Sequence, residues 1–291
     1  MQPKYDSNGV KIYHGNCLDI LKKLEPKSVQ TCVTSPPYWG MRNYESETEQ
    51  VGLEETPSEY VKKMVEVFRG VKEVLKDDGT VWLNIGDCYA GNCSRTSAGR
   101  AGFGAKRDGV YFRGGDGLKA KDLAGMPWRV AFGLQDDGWY LRSDIIWAKS
   151  NPVPASVKDR PTSSHEYMFL LSKQPKYYYD YIAIKEEATS KSKNNEKYGG
   201  VKNKRSVWTV PVRAYRGAHT ATFPPELITP CILAGSKKGD TVLDPFMGSG
   251  TTGLVARELG RKSIGCELSE EYIKVAEERL SQKEVAKIEK S

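Results

Sequence analysis

One segment near the carboxyl end restricts the fold more than any other. Thr241-Val242-Leu243-Asp244 runs into Pro245-Phe246-Met247-Gly248-Ser249-Gly250 and then into Thr252-Gly253-Leu254-Val255-Ala256-Arg257-Glu258-Leu259. The first piece reads as a short strand and the last as a helix, so the glycines form a strand-to-helix turn whose backbone can lie against a bound cofactor. The rest of the chain keeps the same alternation. Val10–His14 and Val29–Val33 read as strands joined by an amphipathic helix from Cys17 to Leu24. Pro57 opens a helix whose apolar positions Tyr60, Met64, Val67, Phe68, Val71 and Leu75 recur at helical spacing, with Asp77-Asp78-Gly79 as its stop and Thr80–Ile85 as the next strand. Further on, Trp128–Leu134 reads as a helix and Ser143–Trp147 as a strand. Tyr167–Leu171 and Tyr177–Tyr181 read as the arms of an antiparallel hairpin around Lys173-Gln174-Pro175-Lys176. A helix over Pro225–Ala234, a strand over Ser263–Glu267 and a helix from Glu270 to about Lys283 complete the pattern. Such alternation predicts an α/β fold with a mostly parallel sheet covered on both faces.

Composition narrows the class. With 291 residues, 38% of them hydrophobic, the chain is long enough for one large domain with a smaller attachment. No apolar run reaches the length of a bilayer span and Met1-Gln2-Pro3-Lys4-Tyr5-Asp6 lacks the apolar core of a secretion signal, so a cytoplasmic protein without a membrane partner is expected. Cys17, Cys32, Cys88, Cys93, Cys231 and Cys266 form no Cys-x-x-Cys pair, which predicts buried reduced thiols and no metal site.

The net charge of +7 is unevenly spread. Gly91–Arg129 carries eight basic residues, Arg107 and Arg113 among them, against three acidic ones. Lys185–Gly217 carries nine, including Lys202, Lys204, Arg205, Arg213 and Arg216, against three. Positive charge concentrated in two loop-like stretches points to a polyanionic partner, with a solvated loop as the alternative.

The second motif lies at the other end of the chain. Thr34-Ser35-Pro36-Pro37-Tyr38 follows the apolar run Thr31-Cys32-Val33 and sets a hydroxyl, a rigid proline pair and an aromatic ring in a row. That is a holder for a planar amine, a poor nucleophile while its lone pair is delocalised: acceptors for its two protons, such as the Ser35 hydroxyl and the Pro36 carbonyl, draw the nitrogen toward tetrahedral geometry, and Tyr38 can stack on an attached ring. Alone, Pro-Pro after a strand is equally a turn. Glu267, 23 residues past Asp244 at the end of the next strand, stands about where a carboxylate reaches a ribose in Rossmann-like sheets; a nicotinamide enzyme uses the same geometry. The turn lacks the Gly-Lys-Ser/Thr of a P-loop.

Taken together, Ser35-Pro36-Pro37-Tyr38 and Asp244-Pro245-Phe246-Met247-Gly248-Ser249-Gly250 resemble the amino-methyltransferases of DNA, and the resemblance extends over nearly the whole chain. It implies a Rossmann-like S-adenosylmethionine-dependent methyltransferase fold with a mostly parallel seven-stranded sheet, an antiparallel hairpin and the circularly permuted β order of motifs. Ser35, Pro36, Pro37 and Tyr38 are then the catalytic tetrad. Asp244, Pro245, Phe246, Gly248 and Gly250 hold the methionine part of S-adenosylmethionine and Glu267 its ribose. His14-Gly15-Asn16-Cys17 borders the adenine, although Asn16 stands where Asp is common, and His219, Thr222 and Phe223 lie near the methionine end; Phe223 also reads as a hydrophobic staple. The resemblance divides the chain into a catalytic half at 1–90, a basic insert at 91–127, a continuation of the sheet at 128–184, a basic target-recognition region at 185–217 and a cofactor half at 218–291.

Ser35 in place of Asp resembles cytosine-N4 enzymes, with adenine-N6 methylation and a non-catalytic DNA-binding module as the alternatives. Double-stranded DNA is the expected partner, a cognate restriction endonuclease a further one, and a prokaryotic, viral or mobile-element source follows. Two other groups stand out. Pro230-Cys231 echoes the dipeptide of cytosine-C5 enzymes but falls on the apolar face of its helix, and His165-Glu166 reads either as a general base or as a polar strand start that borders the base pocket.

Overall fold

The computed structural model describes residues 1–40, 50–90, 115–188, 200–213 and 223–281. In chain order the elements are β1 (Tyr5–Ser7), β2 (Val10–His14), α1 (Cys17–Leu21), β3 (Val29–Thr34), α2 (Pro57–Val74), β4 (Leu75–Ile85), α3 (Met126–Asp136), β5 (Tyr140–Lys149) and β6 (His165–Ser172). There follow β7 (Glu186–Glu187), β8 (Val201–Lys202), β9 (Val207–Val210), α4 (Pro225–Gly235), β10 (Thr241–Asp244), α5 (Thr251–Glu258), β11 (Lys262–Glu267) and α6 (Glu270–Ser281). The main sheet has nine strands in the order β1-β2-β11-β10-β3-β4-β6-β5-β9. From β2 to β4 every pairing is parallel; β6 runs antiparallel to both β4 and β5. This is the mixed α/β sheet expected of an S-adenosylmethionine-dependent methyltransferase, widened beyond seven strands by β1 at one edge and β9 at the other. β9 comes from the basic 185–217 stretch, where Val207–Val210 alternates exposed and buried residues against β5.

Helix α2 shows how local sequence sets these elements. Thr56 and Glu59 form a reciprocal capping box, Pro57 occupies the first turn, and the expected apolar stripe is buried. With α1 and α3 it packs on one face of the sheet around Phe68, Leu83 and Phe169. Helices α4 and α5 cover the other face around Trp82, Met168 and Ile228, while α6 closes over Val10 and Ile12.

Three local expectations change. Helix α1 ends at Leu21, because the chain tightens into turns in which Lys23 N–H donates to Ile20 O and Leu24 N–H to Leu21 O before Glu25-Pro26. Asp77-Asp78-Gly79 does not stop α2, which ends at Val74. It lies inside β4 at a register slip between the pairs Val29/Leu75 and Thr31/Thr80, held by a hydrogen bond from Gln30 Nε2 to Asp78 Oδ1 (3.0 Å). The hairpin partner of β6 is β5 and not Tyr177–Tyr181. That aromatic run lies outside the strands, with Tyr179 stacked on Trp82, Tyr178 N–H bonded to Asp78 O and Asp180 N–H bonded to Ala234 O. No described helix is long and apolar enough to cross a membrane.

Candidate active site

A parallel sheet offers a crevice where its strand order reverses, because the loops leaving two neighbouring strands turn to opposite sides. Here that point lies between β10, whose chain continues toward β11, and β3, whose chain continues toward β4. The glycine turn leaves the carboxyl end of β10 and the Ser35 tetrad leaves the carboxyl end of β3, so Thr34 and Asp244 become neighbours although 210 positions separate them in sequence. Along the same edge follow Glu267 on β11 and the Gly15-Asn16 bend after β2 on one side, and Asn84 on β4 and Glu166 on β6 on the other. Glu166 reaches this edge because β6 is antiparallel, which brings its first residues to the carboxyl ends of the other strands.

Asp244 joins the two motifs. Its buried carboxylate accepts from Thr34 Oγ1 and Thr252 Oγ1, each at 2.6 Å, and from Phe246 N–H at 3.0 Å. Thr34 is the residue before Ser35 and Thr252 stands in the first turn of α5, so one side chain fixes the tetrad strand, the glycine turn and the helix. Its donors are hydroxyls and an amide; burial pushes its pKa up to about 6, against the pull of the two threonine hydroxyls and the Phe246 amide. The turn is further held by Met247 N–H to Cys266 O and by Arg279, which donates to Ser249 O, Ser249 Oγ and Thr251 Oγ1. Gly250 has φ +82° and an added Cβ would stand 2.9 Å from the Ala276 Cβ, so only glycine lets the turn pack on α6. Glu267 accepts from Gly248 N–H and Ser269 N–H, each at 2.8 Å, and burial raises its pKa. Each of its oxygens retains a lone pair for a further donor such as a sugar hydroxyl.

The tetrad is anchored through its backbone and its ring. Tyr60, fully buried on α2, donates to Pro37 O at 3.0 Å, and Gly40 N–H bonds to Gly52 O. The Tyr38 hydroxyl stands 3.4 Å from Ser35 Oγ, 3.3 Å from Asn84 Oδ1 and 2.6 Å from Glu166 Oε2, to which it donates. Burial and the adjacent Glu166 raise the Tyr38 pKa, so the phenol is a neutral donor. Glu166 also accepts from Asn84 Nδ2 and from Lys149 Nζ. This pair of sites, glycine turn with a carboxylate beside it and hydroxyl-proline-proline-aromatic across the crevice, is suited to holding a cofactor and a planar amine face to face.

Comparison with known proteins decides the family. A family model described as DNA methylase matches residues 29–278, most of the chain. The chain belongs to the DNA methylase family. Among its relatives, the type II methyltransferase M.Cfr9I of Citrobacter freundii is 50% identical over 273 residues, covering 94% of this chain and 88% of that protein. M.SmaI of Serratia marcescens is 49% identical over 277 residues, with 93% and 90% covered. Among solved structures, the PvuII DNA methyltransferase, described as cytosine-N4-specific, superposes with a TM-score of 0.71 at 21% identity over 98% of this chain and 91% of that one. The M1.HpyAVI–SAM complex superposes with a TM-score of 0.55 at 20% identity, covering 94% and 100%.

Within this DNA methylase the remaining expected residues fall into different settings. Pro245 and Phe246 lie in the turn itself. Asn16 caps α1, its side chain accepting from Leu18 N–H, and borders a cleft lined also by Asp19, Gln50, Glu54 and Lys63. The Cys17 side chain lies in the core, where burial pushes the thiol up to about 12. Phe223 packs on the core beneath α4, the staple position. The Cys231 thiol is buried and donates to Leu227 O, as core packing requires. Lys202, Lys204 and Arg205 converge on Glu186 at 3.7, 3.9 and 3.0 Å, and Arg213 pairs with Glu226. Arg107, Arg113, Arg216, His219, Thr222 and Cys93 lie outside the described residues. Among the described residues no group of three or more His, Cys, Asp or Glu is arranged to hold a metal.

Sequence reading missed Asn84, Lys149 and Arg279 as parts of the site and gave Thr34, at the head of the tetrad segment, no role of its own. Asn84 had a signal, a carboxamide inside the otherwise apolar end of β4. Lys149 had none, because its role depends on the β5–β6 register that opposes Trp147 to Glu166.

Proposed function

We propose that this chain transfers a methyl group to the N4 amine of a cytosine flipped out of double-stranded DNA, with S-adenosylmethionine as donor. The observation that carries the reading is the Thr34–Asp244–Thr252 bridge, which sets the Ser35 tetrad directly against the glycine turn. When bound, S-adenosylmethionine supplies an electrophilic sulfonium methyl. Glu267 holds its ribose hydroxyls and the Pro245–Gly250 backbone its methionine end, with Phe223, His219 and Thr222 beside them and Asn16 toward the adenine. The Ser35 hydroxyl and Pro36 carbonyl accept the two amine protons and localise the nitrogen lone pair for in-line attack, while Tyr38 stacks on the base. The methylated amine then gives one proton to solvent water, and no covalent enzyme intermediate forms.

Cytosine is favoured by Ser35 in the tetrad and by the likeness to a cytosine-N4 enzyme; adenine-N6 methylation on the same fold is the second reading. The basic stretches at 91–127 and 185–217 track the phosphates, and the second also reads bases. Of its residues, Arg205 and Arg213 are the more solvent-exposed although each is paired with a glutamate, whereas Lys202 and Lys204 are mostly buried beside Glu186. Like the type II methyltransferases it resembles, the protein protects a short site in the cytoplasm of its host from a cognate restriction endonuclease. Single-base sequencing and nucleoside mass spectrometry of DNA from cells that express it test the reading: N4-methylcytosine at one short sequence is expected, and N6-methyladenine in its place overturns the choice of base.

A further inference from the structure

The ring of Tyr38 is held in a way that stacking alone does not require. Gly86, just past β4, lies so close that an added Cβ would stand 2.8 Å from Tyr38 Cε2 and 3.3 Å from the Glu166 carboxyl carbon. The sequence thus gives up a side chain at position 86 to let the ring and the carboxylate meet. At that meeting point Glu166 Oε2 accepts from the Tyr38 hydroxyl (2.6 Å) and from Asn84 Nδ2 (3.2 Å), while Oε1 accepts from Lys149 Nζ (2.5 Å). Three strands contribute: Asn84 from β4, Glu166 from β6, Lys149 from β5. The side chains of Lys149 and Glu166 are only 21% and 15% exposed, so the pair is costly unless its hydrogen bonds are filled, and here they are filled by a residue of the tetrad.

We infer that Glu166 is a positioning residue for methyl transfer, acting through the Tyr38 hydroxyl to hold the ring in the orientation that receives the flipped base, with Lys149 as its anchor. This rests on the reading of Tyr38 as the stacking residue. Free of Glu166, the phenol loses its shortest hydrogen bond and keeps only the longer contacts with Ser35 and Asn84 and the packing of its ring. Bound to Glu166, the ring is fixed before the base arrives, so the base meets a prepared surface. Asn84 serves both partners, since Oδ1 stands 3.3 Å from the Tyr38 hydroxyl while Nδ2 donates to Glu166.

A double-mutant cycle on the full chain tests this, using a duplex that carries the mapped recognition site and a second duplex with 2-aminopurine in place of the target base. Tyr38→Phe removes the hydroxyl and keeps the ring; Glu166→Ala removes its acceptor; Glu166→Gln keeps a carbonyl acceptor. Tyr38→Phe and Glu166→Ala should each lower the single-turnover rate about ten- to a hundred-fold, the range of one hydrogen bond to a charged group, and the double variant should be no slower than either. Both should brighten 2-aminopurine toward the level reached by Tyr38→Ala, because a loosened ring stacks less on the probe. Glu166→Gln should recover part of the rate and of the quenching. Cofactor affinity by calorimetry should stay at the wild-type value throughout, and if Glu166→Ala does not fold the cycle is run with Glu166→Gln. Multiplying defects in the double variant, or wild-type rate and quenching in the Glu166 variants, overturn the role of Glu166. Wild-type rates in Tyr38→Ala overturn instead the reading of the tetrad on which it rests.

Discussion

Two carboxylates lie on either side of the crevice, Asp244 at the end of β10 and Glu166 at the start of β6, and are held by different means. Asp244, on the cofactor side, is buried and receives hydroxyl and amide donors; Glu166, on the acceptor side, is half-buried and receives a lysine. Hydroxyls stabilise a carboxylate less than a cation does, so burial wins at Asp244 and its pKa rises to about 6. The cofactor side is therefore a fixed frame in which turn, helix and strand share one acceptor. The acceptor side is a clamp on a single ring, built from three strands that each give one residue.

The largest effect should come from the acceptor side. Ser35→Ala removes an acceptor used in the transition state and is expected to slow single-turnover methylation about 100- to 1,000-fold, with unchanged cofactor binding by calorimetry. A loss of cofactor affinity would show that the two sides are not separable at Ser35.

On the frame side, Asp244→Asn sharpens the contrast through pH. The carboxyl titrates near 3.8 when unfolded and near 6 when folded, so the native state holds the proton more tightly. Its contribution is full below pH 4 and is lost as pH rises through 6, on the order of 3 kcal/mol for a rise from 3.8 to about 6. An asparagine side chain does not titrate and carries no such penalty. The stability advantage of Asp244→Asn over wild type should therefore grow between about pH 4 and pH 6 and level off above, as measured by denaturant unfolding. A gap independent of pH would mean that Asp244 is not the desolvated group described here.

Glu267→Ala should weaken S-adenosylmethionine binding by about 1.5–3 kcal/mol per lost charge-assisted hydrogen bond, while the rate at saturating cofactor survives. Unchanged affinity in calorimetry removes Glu267 from the ribose.

The smallest effects concern the basic 185–217 stretch. Arg205→Ala should reduce the salt slope of DNA binding by up to about 0.9, as for one phosphate contact. Lys202→Ala and Lys204→Ala should change it less, because their side chains are only 25% and 24% exposed against 67% for Arg205. Equal slopes for all three would show that the Glu186 cluster opens on DNA.

Much of the fold was legible in the order of residues alone. Strand and helix positions follow from apolar spacing, and both motifs of the site could be quoted residue by residue because turn glycines and paired prolines leave local signatures. What stayed hidden depended on pairing between distant segments. Tyr177–Tyr181 has strand composition, yet β5 takes its place beside β6, since register is settled by which faces bury together. The ion pairs of Lys202, Lys204 and Arg205 with one glutamate are likewise invisible to a count of charges.

Short stretches of chain were enough to specify the alternation that builds a parallel sheet, the glycine turn and the tetrad, since each is a property of a few consecutive residues. Folding in three dimensions was needed to settle that Asp244 bridges Thr34 and Thr252, that the Cys17 side chain packs in the core, and that Glu166 reaches Tyr38 across 128 positions of chain. Those outcomes follow from strand order and register, which sum weak preferences over the whole molecule and are written in no single segment of it.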